Sequence, residues 1–441
     1  MLMKTEEESF FDRAYVTASC LFSFCVCFPY YISSYAFGLW VLAFVSVRIH
    51  DAVTGQFSLP DYRSRALWPV YALLLFFVVS ICSSLYAAEP TLVFHQIFGK
   101  RLIMLILPVC ALVGLKSLPF TKLLRCYIYG AYAFILFSFL FAIWHWMPLD
   151  EAMRIECQGD SFNSIFAVHR IYADADVVIG NIVFIYLLII RALQQTERRV
   201  LYTFPIFSVL YILITASRTA MGVTLVVLLF YVFYFARHQK RLILPFLLTV
   251  VIVGGLAVSV PNRFQKSVHT ILSHDTKFDD ARFTIWDCAR SCSHSTFFTG
   301  FGTNNYIKPL TQEYAKRGLD WPYGTHNAYL ESWMETGWMG VIALALIVFS
   351  IPFSAGRERW LLSVPITMAF AFTFCIESML GRQNGIFMFT FFAVFLGVCN
   401  SDKVRSYFPS PVRYYGLSIA LSILTLLSMV AFLLIVNYLY N

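Results

Sequence analysis

Apolar residues run along this chain in long, nearly unbroken stretches, without the strict alternation of a half-buried strand. About 20 consecutive apolar residues suffice for one helix to cross a membrane. The stretch 14–47, broken near Pro29, predicts two short spans. Further spans are expected near 66–86, 102–115, 123–146, 177–192, 200–216, 219–236, 242–260, 337–354, 360–377, 384–399 and 414–438. That makes thirteen, within one. The fold class expected is an all-α polytopic membrane helix bundle of about 12–13 spans. Its organisation would be an N-terminal transmembrane bundle of about nine spans over 1–260, one large loop over 261–336, and C-terminal spans over 337–441. No fixed-period repeat or low-complexity tract is visible. Pro29, Pro69, Pro108 and Pro365 do not pair up as the broken spans of an inverted-repeat transporter would.

Composition sharpens this picture. The 441 residues are 59% hydrophobic and 13% charged, roughly half the charge of a soluble chain, which excludes an ordinary soluble enzyme. The 44 Phe and 25 Tyr exclude disorder. The net charge of +8 is explained by position. Arg48, Arg63 and Arg65 form one cluster, and Lys116, Lys122 and Arg125 another. Arg191, Arg198 and Arg199 follow, then Arg237, Lys240 and Arg241. The last are Arg357 with Arg359, and Lys403 with Arg405 and Arg413. Under the span list all fall on one side, which the positive-inside rule makes cytoplasmic, together with the N-terminus. They are topology signals, and no nucleic-acid partner is implied. No cleavable signal peptide is expected, because Lys4 and three Glu precede a segment that continues into a second span.

The opposite side carries the loops 147–176 and 261–336. The longer one holds eight Lys/Arg and eight Asp/Glu, so it is locally neutral. Its Trp321-Pro322-Tyr323 segment suits a membrane interface. Phe278 to Cys292 reads as an amphipathic helix, with Arg282 and Trp286 on one face at i, i+4. Most of the eleven Cys lie within spans as small apolar residues. Cys157, Cys288 and Cys292 lie outside them. Cys288 and Cys292 are badly spaced to bond each other, and a bridge from Cys157 to either stays open in an oxidising compartment. No Cys/His spacing suggests zinc.

Three residues stand out as candidate chemistry. Arg218 lies in Thr215-Ala216-Ser217-Arg218-Thr219, at an apolar turn on the side where positive charge is disfavoured. It reads either as a snorkelling interfacial Arg or as a functional cation, and guanidinium is well shaped to hold phosphate oxygens. Arg282 reads as a surface Arg paired with Asp279 or as a second such cation. His326 lies where the long loop re-enters the membrane, and its imidazole can take a proton near neutral pH. Either Glu331 or Glu335 is placed to orient it. Asp174-Ala175-Asp176 has the spacing of a metal-diphosphate motif, but three-residue patterns of this kind are frequent by chance. His169-Arg170 just before it could add a cation to a phosphate site. Glu377 and Arg382 flank another outer turn as site walls, paired with each other. The Gly337-x-x-Gly340 pair starts the next span and permits close helix packing. No Walker loop, dinucleotide fingerprint or Gly-x-Ser-x-Gly elbow is present, so energy would come from the substrate or a gradient.

The run His326-Asn327, nine residues, Gly337, two residues, Gly340 resembles the signature of bacterial O-antigen ligases. These form a wider group with O-antigen polymerases and protein O-oligosaccharyltransferases. Ser217-Arg218-Thr219 looks like the group's Arg at an outer turn, and Arg282 followed by Trp286 looks like its second Arg. Phe298-Thr299-Gly300-Phe301-Gly302 resembles its Gly-x-Gly segment. The matching block covers roughly 200–355. The chain departs from the usual twelve spans, since thirteen are counted here.

The resemblance implies a GT-C-like architecture in the bacterial inner membrane, with a catalytic loop facing the periplasm. It implies inverting transfer from a polysaccharide on undecaprenyl diphosphate to a sugar hydroxyl of lipid A–core, without metal or cofactor. His326 would be the base, and Arg218 and Arg282 the cations where leaving charge develops. Arg170, Asn327, Trp286, Gly300, Gly302 and Arg382 would contact substrate. Beyond membrane lipids, the partners would be those two lipid-linked glycans. The alternatives are an O-antigen polymerase, then a protein O-oligosaccharyltransferase, which usually carries a larger C-terminal region. A lipid or solute transporter would require charges near the bilayer midplane, where the span list places few.

Overall fold

Ser9 starts the first helix with a reciprocal cap. Its hydroxyl accepts from the Asp12 N–H at 3.1 Å, and the Asp12 carboxylate accepts from the Ser9 N–H at 3.2 Å. Helix α1 (Phe10–Cys25) ends before Pro29, the residue that caps α2 (Tyr30–Val53), so the 14–47 stretch forms two helices with the break where expected. The computed structural model describes residues 9–146, 168–215, 217–238, 281–294 and 296–399, with Leu244, Val251 and Gly255 besides. The expected span 414–438, all of the expected span 242–260 but those three residues, Cys157 and most of the 147–176 loop lie outside the described residues.

The chain continues through α3 (Trp68–Cys82), α4 (Pro90–Gln96), α5 (Ile103–Gly114), α6 (Phe120–Trp146) and α7 (Arg170–Ile189). Next come α8 (Gln195–Leu201), α9 (Phe204–Thr215) and α10 (Arg218–His238). Two loop helices follow, α11 (Ala281–Ser293) and α12 (Ile307–Lys316). The last described helices are α13 (Ala328–Ser354), α14 (Trp360–Ile376) and α15 (Gln383–Val398). Among the described residues there is no strand, and eight helices are long and apolar enough to cross a membrane. A bent pair raises that to nine. The fold is an all-α polytopic membrane bundle.

Two elements differ from the sequence reading. The short 102–115 span is the second arm of a longer feature, in which Pro90–Arg101 and Ile103–Gly114 meet at 57°. The bend sits at a π-turn over Ile97–Arg101, whose Lys and Arg hid the first arm from an apolar search. The span expected from Gly337 starts nine residues earlier, at Ala328. Asn327 caps it, its side-chain oxygen accepting from the Tyr329 and Leu330 N–H groups at 3.0 Å. The added turns carry buried Glu331, Ser332 and Glu335, so hydropathy alone did not find them.

The core is aromatic. Trp40 and Phe22 are fully buried, with Phe37 and Phe44 stacked on the Trp40 ring and Phe391 edge-on to Phe22. The Trp40 indole N–H donates to Ser19 Oγ at 3.0 Å, so this large ring buries no unsatisfied donor. Helix α13 packs on α3, α14 and α15, while α7 bridges α6, α10 and α14.

Polar groups gather at the helix ends. At one end, Arg48 pairs with Asp51 at 3.2 Å, Lys116 pairs with both Asp51 and Asp12, and Arg125 pairs with Glu197. Members of two of the basic clusters thus meet carboxylates at that end. The opposite end receives the starts of α7, α10, α13 and α15 and the finish of α14.

Candidate functional site

His326 is the residue just before the Asn327 cap, held at φ +46, a backbone region that non-Gly residues seldom occupy. Three bonds hold this segment. Thr325 Oγ1 donates to the Asn327 carbonyl at 3.0 Å. The Asn327 amide donates to the Cys375 carbonyl at 2.8 Å, on the last turn of α14. The Trp286 indole N–H, from α11, donates to the Thr325 carbonyl at 3.0 Å. A strained residue persists only where its surroundings over-determine it, and such residues cluster at functional sites.

The imidazole meets a carboxylate. His326 Nδ1 lies 3.2 Å from Glu377 Oε1 and 3.3 Å from Oε2. Glu377 follows α14 in extended conformation, with its N–H bonded to the Thr373 carbonyl at 2.8 Å. Arg282 Nη2 stands 3.8 Å from Glu377 Oε2. The Glu377 side chain is 6% exposed, while His326 is 33% and Arg282 22%, so the carboxylate is the buried foundation and the imidazole and guanidinium face outward. Burial works to raise the Glu377 carboxyl. The hydrogen bond and charge of His326, with the charges of Arg282 and His169, outweigh it and hold the group below the ordinary glutamate range.

Sequence reasoning had offered Glu331 or Glu335 as the group that orients His326. Both instead turn to Arg101, at 3.9 Å and 2.8 Å. Glu377 and Arg382 were expected to pair with each other. Glu377 takes His326 and Arg282, while Arg382 is the cap residue of α15 and the Tyr172 hydroxyl donates to the Ser378 carbonyl at 3.4 Å. The Arg282–Asp279 pairing falls outside the described residues. Arg282 and Trp286 do share one face of α11, and that face lies against the His326 segment.

Arg170 and Arg218 begin α7 and α10 at this same end, and both are half-buried. Arg170 donates to the Thr215 carbonyl at 3.5 Å, and Thr215 Oγ1 donates to Asp174 Oδ1 at 2.8 Å. Asp176 is tied elsewhere, to the Tyr127 hydroxyl at 3.0 Å. The two carboxylates of the Asp-x-Asp pattern therefore diverge, as positions i and i+2 of a helix must. Asp174, Thr219 and Thr373 line one narrow cleft, which places the start of α10 beside the last turn of α14.

Gly300 and Gly302 sit at positive φ, +70 and +95, in a loop that enters a break in α13. At that break Thr336 and Gly337 leave helical geometry, and the carbonyls of Met334 and Glu335 are free to accept. They take the N–H groups of Phe301 at 2.7 Å and Gly302 at 2.8 Å. The Gly300 N–H bonds the Thr296 carbonyl at 2.8 Å. The amides of Gly300 and Gly302 are thus used by the fold, and these glycines act here through close backbone packing.

A polytopic α-helical membrane protein with a His–Glu–Arg cluster and further arginines at one end of its bundle is what the fold and site define. Residues 203–345 match the family model described as O-Antigen ligase, so that segment is similar to the O-antigen ligase family. The match runs from α9 into α13 and includes Arg218, Arg282 and His326, while Arg101, Arg170, Glu377 and Arg382 lie beyond its limits. It supports a function of the O-antigen ligase or polymerase type. No curated protein matches the chain.

Proposed function

We propose that the chain is an inverting, metal-independent O-antigen ligase of the bacterial inner membrane, working at the periplasmic face. Its donor is O-polysaccharide on undecaprenyl diphosphate, and its acceptor is a sugar hydroxyl of lipid A–core. The loop 261–336, between an N-terminal bundle (1–260) and C-terminal spans (337–441), supplies His326 and Arg282, while Arg218 comes from the N-terminal bundle and Glu377 from the C-terminal spans.

His326 is the general base. Glu377 engages Nδ1, so the neutral ring carries its proton there and presents Nε2 as the acceptor. Nε2 takes the proton of the acceptor hydroxyl as its oxygen attacks the anomeric carbon of the donor sugar. The bond from that carbon to the diphosphate oxygen breaks, and the electron pair leaves with undecaprenyl diphosphate. Arg218 and Arg282 stabilise the charge that develops on the leaving oxygen, with Arg170 and Arg382 as further contacts. Asn327, Trp286, Gly300 and Gly302 hold the segments that frame the donor. The observation that carries this reading is the His326–Glu377 contact beside Arg282 at the outer end of the bundle.

The test is a lipopolysaccharide gel of a knockout strain complemented with wild type, His326→Ala, Arg218→Ala or Arg282→Ala. Uncapped lipid A–core with accumulating lipid-linked polymer is expected from each variant. A knockout that leaves one repeat unit on the core would identify a polymerase instead. Capping that persists with His326→Ala would remove the base assignment.

A further inference from the structure

Arg101 is a buried cation outside the cluster described above. It is 1% exposed and ends the π-turn that links α4 to α5. Its Nη2 lies 2.8 Å from Glu335 Oε2, its Nη1 reaches Ser80 Oγ at 3.4 Å, and its guanidinium stands 5.5 Å from the centre of the Phe76 ring. The other Glu335 oxygen, Oε1, accepts from the Asn304 N–H at 2.9 Å. Glu335 is the last residue before the break in α13, and its own carbonyl takes the Gly302 N–H. One ion pair thus joins α3, the π-turn, the glycine loop and the end of a two-turn helix.

That two-turn helix, Ala328–Glu335, matters because His326 and its cap stand at its other end. A helix of two turns has little intrinsic stability and takes its orientation from what holds its ends. Asn327 fixes the first end to α14. Arg101, through Glu335, fixes the second. Glu331, one turn before Glu335, is buried 3.9 Å from Arg101 and lies against the turn at Gly381, which directly follows the Glu377 segment. Both members of the His326–Glu377 pair are therefore braced from the same guanidinium.

We propose that Arg101 is a positioning residue for the transfer, acting through Glu335 to hold the two-turn helix that sets His326 against Glu377. This rests on the ligase reading above. Arg101 touches no substrate, so its effect belongs in turnover and not in donor binding.

The test uses the purified full chain with undecaprenyl-diphosphate-linked O-polysaccharide and lipid A–core. Arg101→Gln/Glu335→Gln removes both charges together, so that neither is left buried alone. Glu335→Gln keeps the shape and the acceptor for Asn304 and serves as the second variant if the double variant melts early. A folded variant is expected to lose about ten- to a hundredfold in kcat, with the donor KM within about twofold. A folded variant with wild-type kcat, or one whose loss lies in KM alone, overturns the proposal. His326→Ala is assayed alongside. If wild type makes no product, the ligase reading itself fails, and if His326→Ala still transfers, its assignment as base fails; if wild type transfers, His326→Ala is inactive and both the double variant and Glu335→Gln turn over normally, only the role of Arg101 fails.

Discussion

His326 Nδ1 and Glu377 lie 51 residues apart in sequence and 3.2 Å apart in space, and that contact decides which imidazole nitrogen can act as a base. Glu377→Gln keeps the side-chain size but offers either an amide N–H or a carbonyl to Nδ1. Where the amide donates, the ring proton moves to Nε2 and the base is lost. Transfer by this variant is expected to fall about a hundredfold or more in kcat, with donor KM little changed. Single-turnover transfer at saturating donor measures it. A kcat within about twofold of wild type would show that the contact is incidental.

Arg282 faces two partners of opposite importance: Glu377 at 3.8 Å and, in the proposed mechanism, the donor diphosphate. Arg282→Lys keeps the charge and loses the planar fork that holds phosphate oxygens with two bonds. Its transfer rate is expected to drop about tenfold, and that of Arg282→Ala further, by about a hundredfold. Equal activity of Arg282→Lys and wild type would assign the residue to the Glu377 pair alone.

Much of the bundle was legible because apolar runs are a local signal, and the α1–α2 break at Pro29 and most other spans followed from it. The amphipathic α11 was legible too, since Arg282 and Trp286 stand one helical turn apart. What stayed hidden is non-local. Nothing in the order of residues links His326 to Glu377, so the nearer Glu331 and Glu335 looked better placed. Those two carboxylates point to Arg101, a cation that sequence reasoning passed over because it lies in a short, bent, half-polar segment. The start of α13 was missed for the same reason: its first two turns bury charge in an ion-pair network and so do not read as a membrane helix. The Gly300-Phe301-Gly302 run stands out in the sequence by its resemblance to a Gly-x-Gly segment, but what its two positive-φ glycines meet is a helix break thirty-odd residues away.

Acid should act on Glu377 in a defined direction. Its carboxyl is held below the ordinary range because His326, Arg282 and His169 outweigh the effect of burial. A carboxyl lowered in the folded chain stabilises the fold above its unfolded value, and that contribution is lost as pH falls through the folded value. Between neutral pH and about pH 4 or below, the melting temperature of wild type should therefore fall more steeply than that of Glu377→Gln. Thermal unfolding of the two proteins across that range measures the difference. Parallel curves would mean that the carboxylate adds nothing to stability.

The break in α13 gives the last prediction. Gly337 has φ +64 and ψ −157, a conformation essentially restricted to glycine, and a Cβ there would overlap the Phe298 carbonyl. Gly300, at φ +70, would place a Cβ 2.5 Å from the Glu335 carbonyl carbon. In both cases the obstacle is backbone, which a rotamer change cannot move aside. Gly318 is the natural control, because its φ is +73 but a Cβ there would meet open space. Gly337→Ala and Gly300→Ala are each expected to cost about 2–4 kcal/mol, against about 1 kcal/mol for Gly318→Ala, where only the left-handed backbone is penalised. Since the loop and the break jointly hold Glu335, the two costly substitutions should also lower transfer per folded molecule, and Gly318→Ala should not. Melting temperatures and specific activities of the three variants check both halves. Equal melting temperatures for all three would mean that the chain at the break relaxes freely, and the helix end would then not be fixed by the loop at all.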